Sequence, residues 1–510
     1  MEYLPKIADK VRLPLKIKIY PYLMDHQFEG KAVLPAVEAI QLLAASTSGY
    51  LPAIEIDTIL DARFDKFLYI NPRVALIDAF NEIEVHEDGG VISRLITKTR
   101  AKAGSITRTK DHVSLRFSKN PQEPAPPLLD EIFALEGLGI DIPSDRLYGE
   151  LVPFGPAYHN VKETFTVSEQ GAIASVYAPD NGAPSAPLGS PFPLDAALHA
   201  TCAWGQRYRK IVGFPVGFGI RHVFKQTRPG ATYIARIIPK RGYPEPLLFD
   251  IWLYDQDGVF YEAVLDVLME DVSGGRMKPP QWLLEGANDE ELPSLKAHCD
   301  AISVIELKTI NETAVKALSD FELDRYSRLG DKRKKSYLGS RLCCKTLSRQ
   351  LSGNDRETPA SSITTISPDQ IRPRSPLTDG RDIFSCSVSH DSRFAVAVAA
   401  KTKVGVDVEE ISEKALRSRR LYMKEREEIL AKNSSLGEIE ASIRIWSIKE
   451  AMSKALGINL AQSWERVEIK DIGQNKSLVL MEKREYTAIH DTVDNHLFTM
   501  ITRGVVEDQS

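Results

Sequence analysis

DHQFEGKAVLPAVEA, Asp25 to Ala39, sets a histidine before a glycine and a proline: Gly30 follows His26 by four residues, and Pro35 follows Gly30 by five. Proline suits the first turn of a helix, where its missing N–H has no partner to lose. LPAVEAIQLLAAS, from Leu34, then places Val37, Ile40 and Ala44 at helical spacing, and Gly49 marks the stop. Upstream, KIKIYPYL begins with the alternation of a half-buried strand. Downstream, FNEIEVHEDGGVISRLITKTRA reads as two strands joined at EDGG. His26 thus stands where strand gives way to helix. Held neutral in an apolar setting, an imidazole there is a general base. Packed in a core it is structural, and spacing alone leaves both readings open.

The same plan recurs further on. PQEPAPP, from Pro121, holds four prolines in seven residues and reads as a stiff linker. Pro193 then opens a helix, FPLDAALHATCAWGQ, followed by strand-like ATYIARIIP and LLFDIWLYDQDGVFYEAVLDVLM with a DQDG turn. VSGGRMKPPQ, from Val272, is the next break, and the texture changes near residue 300.

Composition sets few limits. Over 510 residues, 43% are hydrophobic and 26% charged, as in ordinary globular proteins, and the length suits two to four domains. The net charge of −5 does not point to nucleic acid or a membrane as partner. Cys202, Cys299, Cys343, Cys344 and Cys386 form no C-x-x-C pair, so neither a disulfide framework nor a zinc site is indicated. No leader-like apolar segment or bilayer-length run is present, and the expected compartment is the cytoplasm.

The second helix offers His26 a partner. Asp195 and His199 lie at i and i+4, on one face. A capping acid is the bland explanation for Asp195; a weaker one is a metal site of His26, Asp195 and His199, which lacks a fourth ligand. HQFEGKAVLP resembles the H-x3-G-x4-P motif of polyketide and fatty-acid dehydratase domains. YGELVPFGPAYH resembles the family's Y-G-P-x-F-Q region and DAALH its D-x3-Q/H motif, with His159 and His199 where glutamine is common. The resemblance covers roughly residues 1 to 275 and implies a double hotdog fold. By it, His26 removes the α-proton of a β-hydroxyacyl thioester, and a protonated Asp195, its pKa raised by burial, donates to the departing hydroxyl. Gly30 supplies an amide for the carbonyl oxygen, Pro35 fixes the helix start, and His199 orients Asp195. Tyr148, Gly155 and Pro156 shape the wall.

Beyond residue 300, VGVDVE places Asp407 and Glu409 two apart on a strand, on the same side. Such acids suit a hard cation, though an exposed strand end is the commoner meaning. WSIKEAMSK adds Glu450, with Lys449 beside it and Lys454 four residues on. Arg325 to Arg349 carries nine lysines and arginines against one acid, Asp331, and supplies Lys335 and Arg341 as phosphate partners. A solvated amphipathic helix is the usual reading of such charge.

SVSH, VGVDVE and WSIKEAMSK resemble, in that order, motifs of the surfactin-synthetase type of 4′-phosphopantetheinyl transferase. This implies a Mg²⁺ site of Asp407, Glu409 and Glu450, with coenzyme A as donor substrate. Ser389, His390, Lys335, Arg341, Lys449 and Lys454 would bind CoA, and Glu450 or a metal-bound water would take the proton of a carrier serine. Arg374 stands in Arg374-Ser375-Pro376, where the family has Gly-Lys-Pro. NSSLGEIE, from Asn433, reads as a loop rather than a carrier motif.

The expected fold is α+β: a double hotdog (1–120 and 131–272, with linker 121–130), a linker (273–299) and a two-lobed, pseudo-symmetric transferase (300–510). The expected function is bifunctional, resembling the C-terminal end of enediyne-type iterative polyketide synthases or polyunsaturated fatty-acid synthase systems. Apo and acyl-loaded acyl carrier proteins are the expected partners, with no nucleic acid and no membrane. Exposed hotdog edges suit a homodimer, and the start at Met1 favours a chain acting in trans. The alternative is a carrier-binding scaffold with inert hotdogs and an active transferase.

Overall fold

Alternation governs the first strands. In the computed structural model, which describes residues 6–100, 107–180, 186–240, 247–286, 290–352, 356–367, 373 and 384–503, the strand before His26 lies earlier than KIKIYPYL suggests. It runs Ile7–Lys18, and Pro21 opens a 3-10 turn, Pro21–Asp25, that ends next to His26. Proline fits the start of such a turn, and within a sheet it is tolerated in an edge strand, as Pro14 is in this one.

The chain forms two units, Met1–Pro126 with Gly139–Asn288, and Pro127–Leu138 with Asp289–Ser510. In chain order the first holds β1 (Ile7–Lys18), α1 (Ala36–Tyr50), β2 (Thr58–Phe64), β3 (Leu76–His86), β4 (Val91–Arg100), β5 (Thr107–Phe117), β6 (Ile140–Pro143), β7 (Thr164–Ser168), β8 (Gly171–Tyr177), α2 (Phe192–Arg209), β9 (Phe214–Val223), β10 (Thr232–Pro239), β11 (Leu247–Tyr254) and β12 (Phe260–Glu270). Its strands make one sheet in the order β1-β3-β4-β5-β2-β9-β12-β11-β10-β8-β7-β6. The halves join where β2 pairs antiparallel with β9, Ile59 opposite Arg221. The first half wraps α1, which lies on β3, β4 and β5; the second wraps α2, on β8, β10 and β11. This is a double hotdog.

The helices differ in enclosure. In α2 every residue from Phe192 to Arg207 is buried, so even its polar side chains lie away from bulk water. Asp195 sits in its first turn.

The second unit contains β13 (Ala301–Glu306), α3 (Asp320–Ser327), α4 (Asp331–Leu351), β14 (Ser385–His390), β15 (Phe394–Ala400), β16 (Val404–Glu410), α5 (Lys414–Tyr422), α6 (Glu425–Lys432), α7 (Glu438–Leu456), α8 (Leu460–Arg466), β17 (Glu468–Ile472), β18 (Lys476–Met481), β19 (Arg484–Val493) and β20 (His496–Arg503). One lobe is the sheet β13-β15-β14 with α4 packed on it. The other is β16-β20-β19-β18-β17 with α7 on β16 and β20. Each lobe is thus an antiparallel sheet under one long helix.

Residues 127–138 depart from the sequence reading, which gave 121–130 to a linker and 131 onward to the second hotdog. The proline run is followed by apolar residues that find a core: Ile132, Phe133, Ala134 and Leu135 are buried within the second unit. Asp130 accepts two hydrogen bonds from the Arg349 guanidinium, each 2.8 Å long.

Gly405 sets how closely α7 approaches β16. A Cβ there would stand 2.0 Å from the Ala451 carbonyl oxygen and 2.6 Å from the Ala455 nitrogen. Gly405→Ala is expected to cost the second unit about 1–3 kcal/mol by overpacking. Peptide-resolved hydrogen exchange should show protection lost in β16 and α7 and kept in α1 and α2.

Candidate active sites

His26 follows the 3-10 turn and lines a cavity of about 460 Å³ in the first unit. Its Nδ1–H donates to the Val33 carbonyl at 3.2 Å, which leaves the lone pair on Nε2. Burial pushes its pKa below the ordinary imidazole value, although the Asp195 charge opposes this. A neutral imidazole with a fixed tautomer, in a largely apolar slot, is equipped to accept a proton. The Phe154 ring lies 4.3 Å from His26 and 5.0 Å from His199, centre to centre, and so touches both imidazoles.

Asp195 and His199 line the same cavity and are both buried. Their Oδ2 and Nε2 atoms are 3.0 Å apart but without the alignment of a hydrogen bond, so both shielded atoms lack a hydrogen-bond partner. Tyr148 fixes the imidazole from behind. Its hydroxyl accepts the N–H groups of Asn160 and Val161, at 3.0 and 2.8 Å, so its own proton turns toward His199 Nδ1, 3.3 Å away. Nε2 then carries the proton that faces Asp195. Burial drives the Asp195 carboxyl up, but His199, through charge and contact, and His26 together bring it below the ordinary value. The expectation of a raised Asp195 pKa is not met, because the neighbouring imidazoles, His199 above all, favour the ionised carboxylate more than burial opposes it.

The remaining predicted groups act behind the cavity wall. Gly30, with φ +73°, makes the turn between the short strands Gln27–Phe28 and Lys31–Ala32 and is absent from the cavity lining. Pro35 stands at the start of α1, as expected. Gly155 donates its N–H to the Asp25 carbonyl at 2.7 Å, and Ala157 donates to the Asp25 carboxylate at 2.9 Å. Gly155 and Pro156 thus tie their loop beside His26, while Phe154 reaches the cavity. Sequence reasoning stopped one residue short of Phe154, in a motif it had already singled out.

In the second unit, Asp407 and Glu409 on β16 meet Glu450 on α7, with one ligand atom from each within 4.8 Å of the others. Among the described residues this is the one cluster of metal-ligand type, and His26, Asp195 and His199 do not form another. Burial and the Asp407 charge raise Glu450 and push Glu409 up to about 7. Trp446 donates its indole N–H to Glu409 at 2.9 Å. Lys454 reaches Asp407 Oδ1 at 2.9 Å and Glu450 at 3.6 Å, and Ser389 donates to the same Asp407 oxygen at 2.9 Å. Asp407 Oδ2 is buried without a hydrogen-bond partner. Three crowded acids and one orphaned oxygen fit a Mg²⁺ ion.

A cavity of about 340 Å³ adjoins this cluster, lined by Ser389, His390, Glu450, Lys454, Arg325, Arg333, Tyr337 and Arg341. Lys335 does not line it. Arg333, Tyr337 and Arg341 recur every four residues along α4 and share a face, whereas Lys335 lies about 200° from Arg333 around the helix. Arg325 and Arg333 were missed; the four-residue step from Arg341 was the signal for Arg333. Arg341 also donates to the Thr365 carbonyl at 2.8 Å. Arg374 lies outside the described residues. Asn433–Gly437 is a loop between α6 and α7, as read from NSSLGEIE.

Lys449 is a second correction. One position from Glu450 is about 100° around a helix, and Lys449 points into the core, where Nζ meets Glu427 at 2.6 Å with both side chains fully buried. It also donates to the Tyr422 carbonyl at 2.5 Å.

Residues 403–500 match the model of the 4′-phosphopantetheinyl transferase superfamily. That span runs from the edge of β16 into β20 and contains all three carboxylates. The transferase resemblance read from VGVDVE and WSIKEAMSK is met there. Among solved structures, the chain is similar to the dehydratase domain of RzxB from Pseudomonas fluorescens, at 15% identity over 50% of this chain and 94% of that one, with a TM-score of 0.41. It is similar to the dehydratase domain from the CurF module of curacin polyketide synthase, at 16% identity over 53% and 96%, TM-score 0.42. For the CurJ module dehydratase the values are 15%, 54%, 99% and 0.43. No curated protein matches the sequence. Among the described residues, no helix is long and apolar enough to cross a membrane.

If Lys449 is structural, Lys449→Met strands the Glu427 carboxylate and should cost about 3–5 kcal/mol. The double variant Lys449→Met/Glu427→Leu should recover part of that loss in chemical unfolding.

Proposed function

We propose that the chain is a bifunctional enzyme of polyketide or fatty-acid biosynthesis. One unit dehydrates β-hydroxyacyl-carrier thioesters, and the other transfers 4′-phosphopantetheine from CoA to a serine of an apo-carrier. The observation that carries this reading is the convergence of Asp407, Glu409 and Glu450 within the superfamily-matching segment. It implies a pantetheine arm, and an acyl thioester on such an arm suits the slot that ends at His26.

In the dehydratase, His26 Nε2 takes the α-proton. The proton for the departing hydroxyl comes from the Asp195–His199 pair, whose imidazole presents Nε2–H beside the carboxylate, rather than from the carboxyl alone. Tyr148 holds that imidazole in place. In the transferase, Asp407, Glu409 and Glu450 would hold Mg²⁺, which when bound would supply positive charge for the CoA pyrophosphate. Arg325, Arg333 and Arg341 present guanidinium groups to the nucleotide phosphates, Lys454 neutralises charge beside Asp407, and Glu450 takes the proton of the carrier serine. The low-lying Asp195 carboxyl gives the inert-hotdog scaffold its one support. An acyl carrier is the partner under both readings, and the long edge strand β1 suits a homodimer.

Incubation with CoA, Mg²⁺ and apo-carriers, followed by intact-mass analysis, tests the transferase; no gain of the phosphopantetheine mass would sink it. His26→Ala and Asp195→Asn should abolish enoyl formation and leave pantetheinylation intact, and Glu450→Ala should do the reverse. Enoyl product from none of the proteins, including the parent, would favour the scaffold.

The pH profile offers a separate check. Because burial lowers the His26 pKa, the acid limb of kcat/KM for dehydration should fall below about 6.5. Asp195→Asn removes the charge that partly restores protonation of His26, so any residual activity should have its acid limb at still lower pH.

A further inference from the structure

The slot of the first unit opens at a rim that the proposed chemistry leaves unused. Gln27, Asp65, Lys66, Phe67, Tyr69 and Lys110 line the cavity and are exposed, whereas Asp195 and His199 are buried within it. Phe67 and Tyr69 are 36% and 50% exposed, with ring centres 6.2 Å apart, and the Phe67 ring lies tilted against the buried Phe28, 4.7 Å from centre to centre. Lys31 Nζ lies 5.8 Å from the centre of the Tyr69 ring. Two neighbouring exposed aromatics beside an apolar opening are a feature of interaction sites.

The rim is held rigidly. The buried His112 donates through Nδ1–H to the Lys66 carbonyl at 3.0 Å, and its Nε2 accepts from the Thr97 hydroxyl at 2.8 Å. Asp65 donates its N–H to the His112 carbonyl at 3.0 Å, and Ile70 to the Ala32 carbonyl at 2.8 Å. The backbone is thus pinned at both ends of the segment while the side chains of Lys66, Phe67 and Tyr69 stay at the surface. The local charge runs against that of the chain. Among the exposed residues that line the opening, Lys66 and Lys110 stand against one acid, Asp65; Lys31 lies beside Tyr69, the exposed Glu29 two residues before it is paired with Arg276, and the exposed Asp111 adjoins Lys110. Among the described residues no ion pair engages these three lysines, on a protein of net charge −5.

We infer that this rim docks an acidic acyl-carrier domain: Lys31, Lys66 and Lys110 meet its carboxylates and the phosphodiester at the root of the pantetheine arm, and Phe67 and Tyr69 cover its apolar contact. The arm then threads past Phe28 toward His26. The inference rests on the dehydratase reading, and it assigns recognition of the carrier to residues that take no part in the elimination.

The test uses the full chain and the double variant K66E/K110E. β-Hydroxybutyryl is presented on N-acetylcysteamine, which has neither phosphate nor protein, and on an acidic acyl-carrier domain. The ratio of KM for the carrier thioester to KM for the short thioester should rise about tenfold in the variant, and added salt should raise it in the parent. A ratio within about twofold of the parent's overturns the docking site. If the parent dehydrates neither thioester, the dehydratase reading fails on its own account. Titration of a fluorescent holo-carrier against parent and variant then decides the docking, since binding at the transferase unit is common to both: about tenfold weaker binding to K66E/K110E supports it, and equal binding overturns it.

Discussion

An acid and a base one turn apart on a helix form the constraint that both units are built around, buried in the first unit and about a quarter exposed in the second. In α2 the pair is Asp195 and His199, 3.0 Å apart; in α7 it is Glu450 and Lys454, 3.6 Å apart. Charge removed from water is costly unless it is paired, and a pair on one helix comes with its geometry already fixed. The rest of each site then supplies the further groups: a neutral His26 just after a 3-10 turn, and Asp407 and Glu409 from a strand.

Holding such pairs in place takes further polar groups around them. Tyr148 uses two backbone N–H groups to aim its own proton at His199. Ser389 and Lys454 converge on one oxygen of Asp407 and leave the other without a hydrogen-bond partner. Along α4 the same device is repeated in a purely architectural role: Lys345 meets Glu322 at 2.8 Å and Arg349 meets Asp130, four residues apart on the face that begins with Arg333 and Arg341. One helix thus turns part of its basic stripe toward a cavity and part toward buried acids.

The motifs made much of this legible. His26, Asp195 and His199 line one cavity although the first two are separated by most of the first unit, and the three carboxylates meet as VGVDVE and WSIKEAMSK implied. What escaped was orientation. Lys335 and Arg333 are equally basic, and only the helical phase fixed by packing α4 on its sheet decides which one faces the cavity. Lys449 sits beside a metal-type acid in the motif but a quarter-turn away in space. The Asp195 carboxyl was expected to rise with burial, and no one-dimensional reading weighed the imidazoles that surround it. The proline run before residue 127 hid a segment whose apolar residues belong to a different core.

That segment also bears on inheritance. Residues 127–138 fold with the second unit, whereas the stretches before and after them fold with the first. The chain leaves one fold, contributes a strip to another and returns, so no single cut in the gene separates two complete parts. Recombination that trades one activity for another would have to replace both stretches together.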